Sequence, residues 1–438
     1  MTALARLARM CLAVAAVVLV VQALTAHRGY RADEIPSSFA ALPVAQAADF
    51  IPPARSQLPN EDAFFADAAA TAWQHFDRVL WQPKTGLAKA TPHYDRITPW
   101  DMGSILAALF SAHKLGLIDD ADYSARMRKT LRTLEYIPLY RAAVFHKKYS
   151  AVNARMIDRN NAVSRTGYGW SATDLGRILI WLHIVASNDA QFTDLARRVG
   201  KRVRLSETAA GGYMHGGLIG TRGKLWKFQE GRIGYEQYAA QGYAWWGADV
   251  ANALDVRKHG KPIEVYGVPL LADQRGLDRL NSEPFIMAGL EFGWSRELRE
   301  LALNVLAAQE ARFKRTGQLT IVSEDALNVK PHYFYYYCVY CNGRSFIVDL
   351  AEPGKFLNEP RWISTKATFG WHVLVGSDYT RAVMREIAKA KTDNAWSSGV
   401  FEKSGEPTRA YDINTTAVVL EAALYRKLGR PLLFAAGN

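Results

Sequence analysis

One stretch of this chain decides its fold: residues 168–187 read YGWSATDLGRILIWLHIVAS. The stretch opens with a cluster of aromatic and polar residues and continues as an apolar segment with few charged side chains. A surface helix keeps one polar face, so this pattern predicts a helix that is buried on all sides. Two further clusters that pair an aromatic ring with a carboxylate open similar helices, at Trp100-Asp101 and at Tyr235-Glu236.

The helical segments fall into two classes. One class carries few charges and is expected to be buried: residues 102–115, 172–186, 236–254, 284–292, 365–375 and 413–425. The other mixes charged and apolar residues, as a helix exposed on one side does: residues 62–80, 122–136, 194–204, 295–313 and 380–391. Alternation of the two classes predicts an all-α fold of about six helical hairpins closed into an (α/α)6 toroid, with small β excursions at 333–340 and 345–350. An open solenoid is the alternative, but its repeats would be shorter and more regular.

The N-terminal segment indicates export. Arg6 and Arg9 precede an uncharged, mostly apolar run, so residues 1–26 are interpreted as a signal peptide, with an N-terminal membrane anchor as the alternative. Residues 27–60 contain prolines and little pattern, which is typical of a linker. Residues 61–438 are assigned to the toroid domain. The protein is therefore expected to be periplasmic or secreted, and tethered to the inner membrane if the segment is retained.

The charge balance is basic, with a formal net charge of +12. Outside the cytoplasm a basic surface attracts anionic glycans or lipid headgroups rather than nucleic acid, although a solvated basic face has the same composition. Beyond the predicted signal, Cys338 and Cys341 form a C-x-x-C motif. Export favours a small disulfide or inert thiols over redox catalysis.

Carboxylates at the starts of the predicted buried helices indicate a sugar-cleaving site. Glycoside hydrolysis requires one carboxylic acid to protonate the leaving oxygen and a second carboxylate to act as base or nucleophile. We expect Glu236 as the general acid and Asp101 as the base, because aromatic neighbours raise the pKa of a carboxyl, and we expect inversion. Asp174 and Glu324 are the substitutes. Ser171 and Asp174 also match a capping box, which favours a structural role for Asp174.

Substrate contacts are expected from aromatic residues near the predicted mouth of the toroid, because flat rings stack on the faces of pyranose sugars. Core packing is the alternative for each ring. Asp412 is included as a polar contact at the start of the last buried helix, with helix capping as its alternative. The predicted contacts are Trp100, Trp170, Tyr235, Tyr238, Tyr333, Trp371, Trp396 and Asp412.

The sequence predicts neither a metal site nor a cofactor. No pair among the ten histidines has the i, i+4 spacing of a helical zinc site, and no G-x-S-x-G motif is present. Metal-dependent hydrolysis and serine-esterase chemistry are therefore disfavoured. The expected partner is an oligo- or polysaccharide.

At these motifs the chain resembles an exported bacterial family known as domain of unknown function 3131. The segments that carry the resemblance are WDMGS at 100–104, YGWSATDLGR at 168–177, YEQYAA at 235–240, NTTA at 414–417 and LEA at 420–422. The family is similar to glucoamylase-like (α/α)6 toroid glycosidases, so the resemblance implies a toroid and a role in extracellular glycan metabolism. The C-x-x-C motif is not part of the family pattern.

These features together predict a periplasmic glycoside hydrolase-like protein that acts on a bacterial polysaccharide or a periplasmic glucan. Similar toroids act on β-glucans, including β-1,2-glucans, which is an analogy of fold. Two alternatives stay open. One is a non-catalytic glycan-binding or polysaccharide-assembly factor, and the other is a polysaccharide lyase that would use His332 and Tyr333.

Overall fold

The computed structural model describes residues 60–220, 222–276, 278–330, 332–350 and 355–433. The predicted signal peptide or anchor and nearly all of the predicted linker, residues 1–59, lie outside the described residues. Within the described ranges, no helix combines the length and the hydropathy that a bilayer-spanning segment requires.

The helices alternate between two environments along the chain. One set is buried along most of its length: α2 (Pro99–Leu115), α4 (Ala172–Asn188), α6 (Tyr235–Trp245), α8 (Glu283–Glu291), α10 (Thr365–Val375) and α12 (Ile413–Leu428). The other set is only partly buried: α1 (Glu61–His75), α3 (Asp120–Tyr136), α5 (Thr193–Lys201), α7 (Ala251–Leu254), α9 (Arg296–Thr316) and α11 (Asp378–Ile387). The prediction of a helix-rich fold is confirmed.

The buried helices contact one another in a closed order. α2 packs against α4, α4 against α6, α6 against α8, α8 against α10, and α10 against α12, which returns to α2. One of these contacts requires glycine, because a Cβ on Gly176 of α4 would lie 2.5 Å from the carbonyl oxygen of Ala239 in α6. A Cβ on Gly242 of α6 would lie 2.3 Å from the carbonyl oxygen of Gly176. The two backbones can approach this closely only without side chains.

The helix predicted over residues 236–254 is interrupted. α6 ends at Trp245, and the single turn α7 follows. Gly247 adopts φ 88°, a left-handed conformation that glycine accepts without strain and that ends a helix. The outer side of this hairpin is therefore short, and a cavity of about 750 Å³ lies beside Trp245 and Trp294.

Short antiparallel strands occupy the connections between the helices. In chain order they are β1 (Trp81–Gln82), β2 (Leu87–Ala88), β3 (Arg96–Ile97), β4 (Tyr149–Ser150), β5 (Gly169–Trp170), β6 (Ala209–Ala210), β7 (Tyr213–Ile219), β8 (Leu225–Gln229), β9 (Gly260–Val265), β10 (Val268–Asp273), β11 (Glu324–Ala326), β12 (Phe334–Cys341), β13 (Arg344–Leu350), β14 (Phe356–Leu357), β15 (Trp362–Ser364) and β16 (Gly399–Phe401). β3 precedes α2, β5 precedes α4 and β15 precedes α10, so the sheets stand beside the starts of buried helices. The predicted β excursions are present as small sheets, the larger ones β11-β12-β13-β14 and β5-β7-β6 with β8 beside β7.

The hairpin of β12 and β13 contains the C-x-x-C motif. Asn342 and Gly343 join the strands with positive φ angles of 48° and 79°, as a type I′ turn requires. Cys338 and Cys341 on β12 are buried free thiols, so the disulfide considered from the sequence is not formed. Burial raises the pKa of the Cys338 thiol well above its ordinary value, which makes it unreactive.

Candidate functional site

Every buried helix carries a charged side chain in its first turn or at its cap. These residues, which define the mouth, are Asp101 on α2, Asp174 on α4, Glu236 on α6, Glu283 on α8, Lys366 on α10 and Asp412 before α12. Direct contacts connect neighbouring helix starts: Lys366 Nζ lies 2.7 Å from Glu283 Oε1. At the start of α12, Asn414 Nδ2 donates to Asp101 Oδ1 at 3.2 Å. The N-terminal ends of the helix dipoles favour the acids among these residues.

Asp101 closes the capping box of α2. Its Oδ2 accepts hydrogen bonds from the Thr98 N–H at 2.8 Å and from Thr98 Oγ1 at 3.2 Å, while Thr98 Oγ1 accepts from the Asp101 N–H at 3.3 Å. Asp101 is 7% exposed, and burial raises its pKa to about 6 against the opposing hydrogen bonds from Thr98 and Asn414. The carboxyl is therefore mostly ionised at neutral pH, as a general base must be.

Ser171 is the N-cap of α4, as the capping box in the sequence predicts, because its Oγ accepts from the Asp174 N–H at 3.2 Å. Glu230, from the connection before α6, accepts hydrogen bonds from the Ala172 N–H and from Ser171 Oγ, the latter at 2.9 Å. A carboxylate distant in sequence therefore adds a second acceptor at the start of α4, where the Asp174 side chain is half-buried. Burial raises the pKa of Asp174 to about 7, with Lys147 opposing the rise. A carboxyl that keeps its proton near neutral pH is suited to general acid catalysis.

Glu236 is held in an ion pair instead of facing a substrate. Arg275 donates to both of its carboxylate oxygens, at 3.0 Å to Oε1, and Gln229 Nε2 donates to Oε1 at 2.8 Å. Arg275 also pairs with Asp273 at 2.7 Å. Burial raises the pKa of Glu236 while Arg275 opposes the rise, and the residue is only 1% exposed. Because the guanidinium occupies its carboxylate, Glu236 does not fit the predicted general-acid role, and Asp174 is the next candidate.

Glu324 faces a second carboxylate across a tyrosine. Tyr235 Oη lies 2.8 Å from Glu283 Oε2 and 3.2 Å from Glu324 Oε2, and its single proton serves one oxygen at a time. Lys366 pairs with Glu283 and lies 3.6 Å from Asp325 Oδ1. Burial and the Glu283 charge raise the pKa of Glu324, which is half-buried. Glu324 is therefore the second candidate for the base.

The predicted aromatic contacts differ in exposure. Tyr333 is 38% exposed, and its hydroxyl donates to the carbonyl oxygen of Tyr411 at 3.5 Å. Trp100 is 9% exposed, and its ring centroid lies 6.0 Å from that of the buried Tyr235. The other four pack in the core: Trp170, Tyr238, Trp371 and Trp396. Their burial leaves no ring face for a sugar, so these four are reassigned from substrate contacts to core packing.

Asp412 acts as the N-cap of α12. Its Oδ1 accepts from the Thr415 N–H at 2.8 Å, and its Oδ2 accepts from Ser398 Oγ and Thr415 Oγ1, both at 2.9 Å. Both oxygens are used within the protein. The capping alternative therefore describes Asp412 better than a substrate contact does.

Three charged residues that contact the predicted acids, or lie among them, are absent from the predicted site: Lys366, Arg275 and Glu230. Lys366 was detectable, since it stands at the start of a predicted buried helix, where the other starts carry acids. Arg275 was not detectable, because it follows Glu236 by 39 residues and reaches it only through the fold. Glu230 was not detectable either, because it accepts a hydrogen bond from the Ala172 N–H, 58 residues earlier in the chain.

The acids of the mouth do not converge on a metal position. In the part of the chain that the structure describes, no group of three or more histidine, cysteine, aspartate or glutamate residues is placed to hold a metal ion. Among the mouth carboxylates, Glu283 is paired with Lys366 and Glu236 with Arg275.

Solved structures with a similar fold share most of their length with this chain. A glucoamylase-like protein from Bacteroides caccae has a TM-score of 0.62 at 13% identity, with 85% of this chain and 94% of that chain covered. An endo-β-1,2-glucanase from Chitinophaga pinensis, in complex with sophorotriose and glucose, has a TM-score of 0.60 at 14% identity, with coverage of 85% and 93%. An endo-β-1,2-glucanase from Talaromyces funiculosus, in complex with sophorose, has a TM-score of 0.58 at 11% identity, with coverage of 84% and 87%. The chain therefore has the fold of the glucoamylase-like and endo-β-1,2-glucanase proteins.

Within this class the chain belongs to the family described as Protein of unknown function (DUF3131), which matches residues 67–429. The resemblance inferred from the motifs around Asp101, Asp174 and Glu236 is thus confirmed. No curated protein matches the chain.

Proposed function

We propose that this protein is an exported glycoside hydrolase whose six helical hairpins close into an (α/α)6 toroid with the active site at the mouth. One observation carries the proposal: the starts of two neighbouring buried helices present carboxyls in different environments. Asp101 accepts hydrogen bonds on both oxygens, which favours its ionised form, whereas burial raises the pKa of Asp174 to about 7 and favours its protonated form. Environments that separate two carboxyls in this way assign one as acid and the other as base. The closed order of contacts among the buried helices supports the toroid. The apolar segment that follows Arg6 and Arg9 supports export to the periplasm.

In the proposed mechanism Asp174 donates its proton to the glycosidic oxygen as the bond to the anomeric carbon breaks. Asp101 removes a proton from a water molecule, whose oxygen forms the new bond to the anomeric carbon on the opposite face. Two sugars are released, and the one attacked by water carries an inverted anomeric centre. Asp174 is then ionised and Asp101 is protonated. Exchange with solvent restores both groups. Lys147 stands beside Asp174 and stabilises the carboxylate that forms when the proton leaves.

We propose a bacterial polysaccharide or periplasmic glucan as the substrate, and β-linked glucans as the first class to test. Two proteins of the same fold are endo-β-1,2-glucanases by name and were solved with sophorotriose or sophorose. Tyr333 is 38% exposed and contacts Tyr411, next to Asp412, whereas Trp100 is 9% exposed and precedes Asp101. These rings suit the apolar face of a pyranose.

The test is incubation of the mature protein with β-1,2-, β-1,3- and β-1,4-glucans and with acidic exopolysaccharides. Reducing ends measure turnover, and NMR of the first product measures the anomeric configuration. Asp174→Asn and Asp101→Asn should each lower kcat by about 100-fold or more, since each removes a proton-transfer group. Asp194→Asn is the matched control, because Asp194 occupies the first turn of the outer helix α5 and should leave turnover unchanged.

Two further tests decide the roles, rescue by azide and the variant Glu324→Gln. Azide attacks without a general base, so it should restore cleavage by Asp101→Asn, and form a glycosyl azide, but should not rescue Asp174→Asn. If Glu324→Gln abolishes turnover while Asp101→Asn keeps it, the base is Glu324 and the pairing proposed above is wrong. Glycan binding without any release of reducing ends would instead identify a glycan-binding factor, and an absorbance rise from an unsaturated product would identify a lyase.

A further inference from the structure

A fully buried arginine is connected to Asp101 through two polar side chains. Arg177 Nη2, on α4, donates to Ser104 Oγ at 3.1 Å, and Ser104, on α2, donates to Asn414 Oδ1 at 2.7 Å. Asn414, in the first turn of α12, donates from Nδ2 to Asp101 Oδ1 at 3.2 Å. The connection crosses three buried helices and ends on the candidate base.

The chemistry of the first donor fixes the direction of every later bond. A guanidinium has only donors, so Ser104 must accept from Arg177 and turns its single proton toward Asn414. The Asn414 amide oxygen therefore faces Ser104, and its NH2 group must face Asp101. Thr98 likewise presents only donors to the other carboxylate oxygen, through its N–H and its Oγ1. Asp101 is thus surrounded by donors on both oxygens, an arrangement that matches a carboxylate and disfavours a carboxylic acid.

Arg177 is itself held in place from several sides. Its Nη1 donates to Glu291 Oε1 and to Tyr238 Oη, both at 2.8 Å, and its Nη2 lies 3.5 Å from Glu421 Oε1. The guanidinium lies 5.1 Å from the centroid of the Trp100 ring, one residue before Asp101. A side chain held by this many partners orients its neighbours without needing to move.

We propose that Arg177, Ser104 and Asn414 form a positioning relay that keeps Asp101 ionised and correctly oriented as the base; the catalytic meaning of this relay rests on the proposed hydrolase function. The hydrogen bonds of the relay favour the ionised form of Asp101, whereas nearby negative charges favour its protonated form. Three titratable groups interact electrostatically with Asp101: Asp412 before α12, Asp174 on α4 and Tyr94 before α2. The negative charges of Asp412 and Asp174 favour the protonated form of Asp101. The donors of the relay offset that repulsion.

The experiment measures the titration of Asp101 directly, without a substrate. The full protein is labelled with 13C at the aspartate carboxyls, and the Asp101 signal is assigned by its absence in Asp101→Asn. Ser104→Ala frees the Asn414 amide to rotate, and Asn414→Leu removes the last donor with little change in volume. Both variants should raise the titration midpoint of Asp101 by about one pH unit, because each removes a hydrogen bond to the charged form. If both variants titrate as the wild type does, the relay is wrong.

Ser111→Ala is the matched control. Ser111 lies on the same helix and is equally buried, but its hydroxyl has no hydrogen-bond partner within the described residues. Its removal should leave the midpoint unchanged, and a shift as large as that of Ser104→Ala would attribute the effect to packing and overturn the proposal. Ser104→Thr restores a hydroxyl and should restore the midpoint.

A kinetic measurement separates this proposal from the proposed function. If a substrate is found, the acidic limb of the kcat profile of Ser104→Ala should move upward by the same amount as the titration midpoint, with KM unchanged. An unshifted limb would show that Asp101 is not the base, although the titration would still establish the relay. A wild type that cleaves no glycan would refute the hydrolase, and the NMR titration would still decide whether the relay controls Asp101.

Discussion

Replacing Arg177 with methionine should destabilise the fold by about 3–5 kcal/mol, because it leaves buried carboxylates without a cation. Arg177 Nη1 lies 2.8 Å from Glu291 Oε1 and Nη2 lies 3.5 Å from Glu421 Oε1, and none of the three side chains is exposed to solvent. Methionine fills most of the volume of the arginine stem, so the loss is mainly electrostatic. The free energy of unfolding is therefore the quantity to measure, by urea denaturation followed by tryptophan fluorescence and far-UV circular dichroism.

The loss should depend on pH in a fixed direction. Burial and the charge of Glu291 raise the pKa of Glu421 well above its ordinary value of 4.5, and removal of Arg177 would raise it further. A carboxyl with a raised folded pKa binds its proton more tightly in the folded state. Stability therefore falls as pH rises from about 4.5 through the folded pKa. The deficit of Arg177→Met relative to the wild type should be smaller at about pH 5 than at about pH 8, where the unfolded carboxyls are ionised.

Arg198→Met is the matched comparison for this variant. Arg198 Nε lies 2.7 Å from Glu135 Oε1, a separation close to that of the buried pair, but its side chain is 51% exposed. Solvent screens such a pair, so its loss should cost less than about 1 kcal/mol. An Arg177→Met deficit that is equally small, or that is the same at both pH values, would refute the argument that the buried carboxylates depend on this cation.

Three further outcomes follow from the same contacts. Hydrolysis should be fastest between about pH 6 and about pH 7, since Asp101 must be ionised and Asp174 protonated, and an initial-rate profile still rising above that window would contradict the assignment. Gly176→Ala should lower the free energy of unfolding, measured in urea, by about 1–3 kcal/mol, because its Cβ would lie 2.5 Å from a carbonyl oxygen of α6. Gly220→Ala is the control and should change the free energy little, since the nearest atom would be 3.6 Å away. The buried thiol of Cys338 should resist iodoacetamide in the folded protein and react after unfolding, as peptide mass spectrometry would show; equal labelling rates in both states would contradict its burial.

The buried helices were predictable because their signal is local. In α4 the apolar residues cover every face, and no arrangement except burial on all sides accommodates such a surface. The end of α6 also has a local signal, which is Gly247 after two tryptophans. Because the apolar pattern continues beyond Gly247, the helix predicted over residues 236–254 was longer than α6. The size of the sheets was harder to predict, because the pairing of β7 with β5 and β8 depends on contacts distant in sequence.

The roles of the acids were not predictable, because they depend on partners that the fold supplies. Asp174 and Glu236 look alike in sequence, each in the first turn of an apolar helix beside an aromatic residue. Arg275, beyond the end of β10, pairs with Glu236, whereas Glu230, before α6, binds the Ala172 N–H at the start of the helix that carries Asp174. One acid is thereby fixed in an ion pair and the other is left available.

Carboxylates are stabilised at the mouth because each of them lies at the N-terminal end of a buried helix. Each helix start presents unpaired N–H groups and the positive end of a dipole, so an acid there is stabilised wherever the helix points. Lys366 is the exception, since its charge opposes the dipole of α10, and it is held by Glu283 and Asp325 instead. At the start of α4 the backbone N–H groups are bound by Ser171 and Glu230. Burial is the largest cause of the raised pKa of Asp174, and the negative charge of Glu230 adds to the rise. Replacing Glu230 with glutamine should lower the pKa of Asp174, because the nearby negative charge that favours the protonated carboxyl would be lost. Carboxyl titration by NMR would show this, and an unchanged Asp174 midpoint would mean that Glu230 does not set its proton affinity.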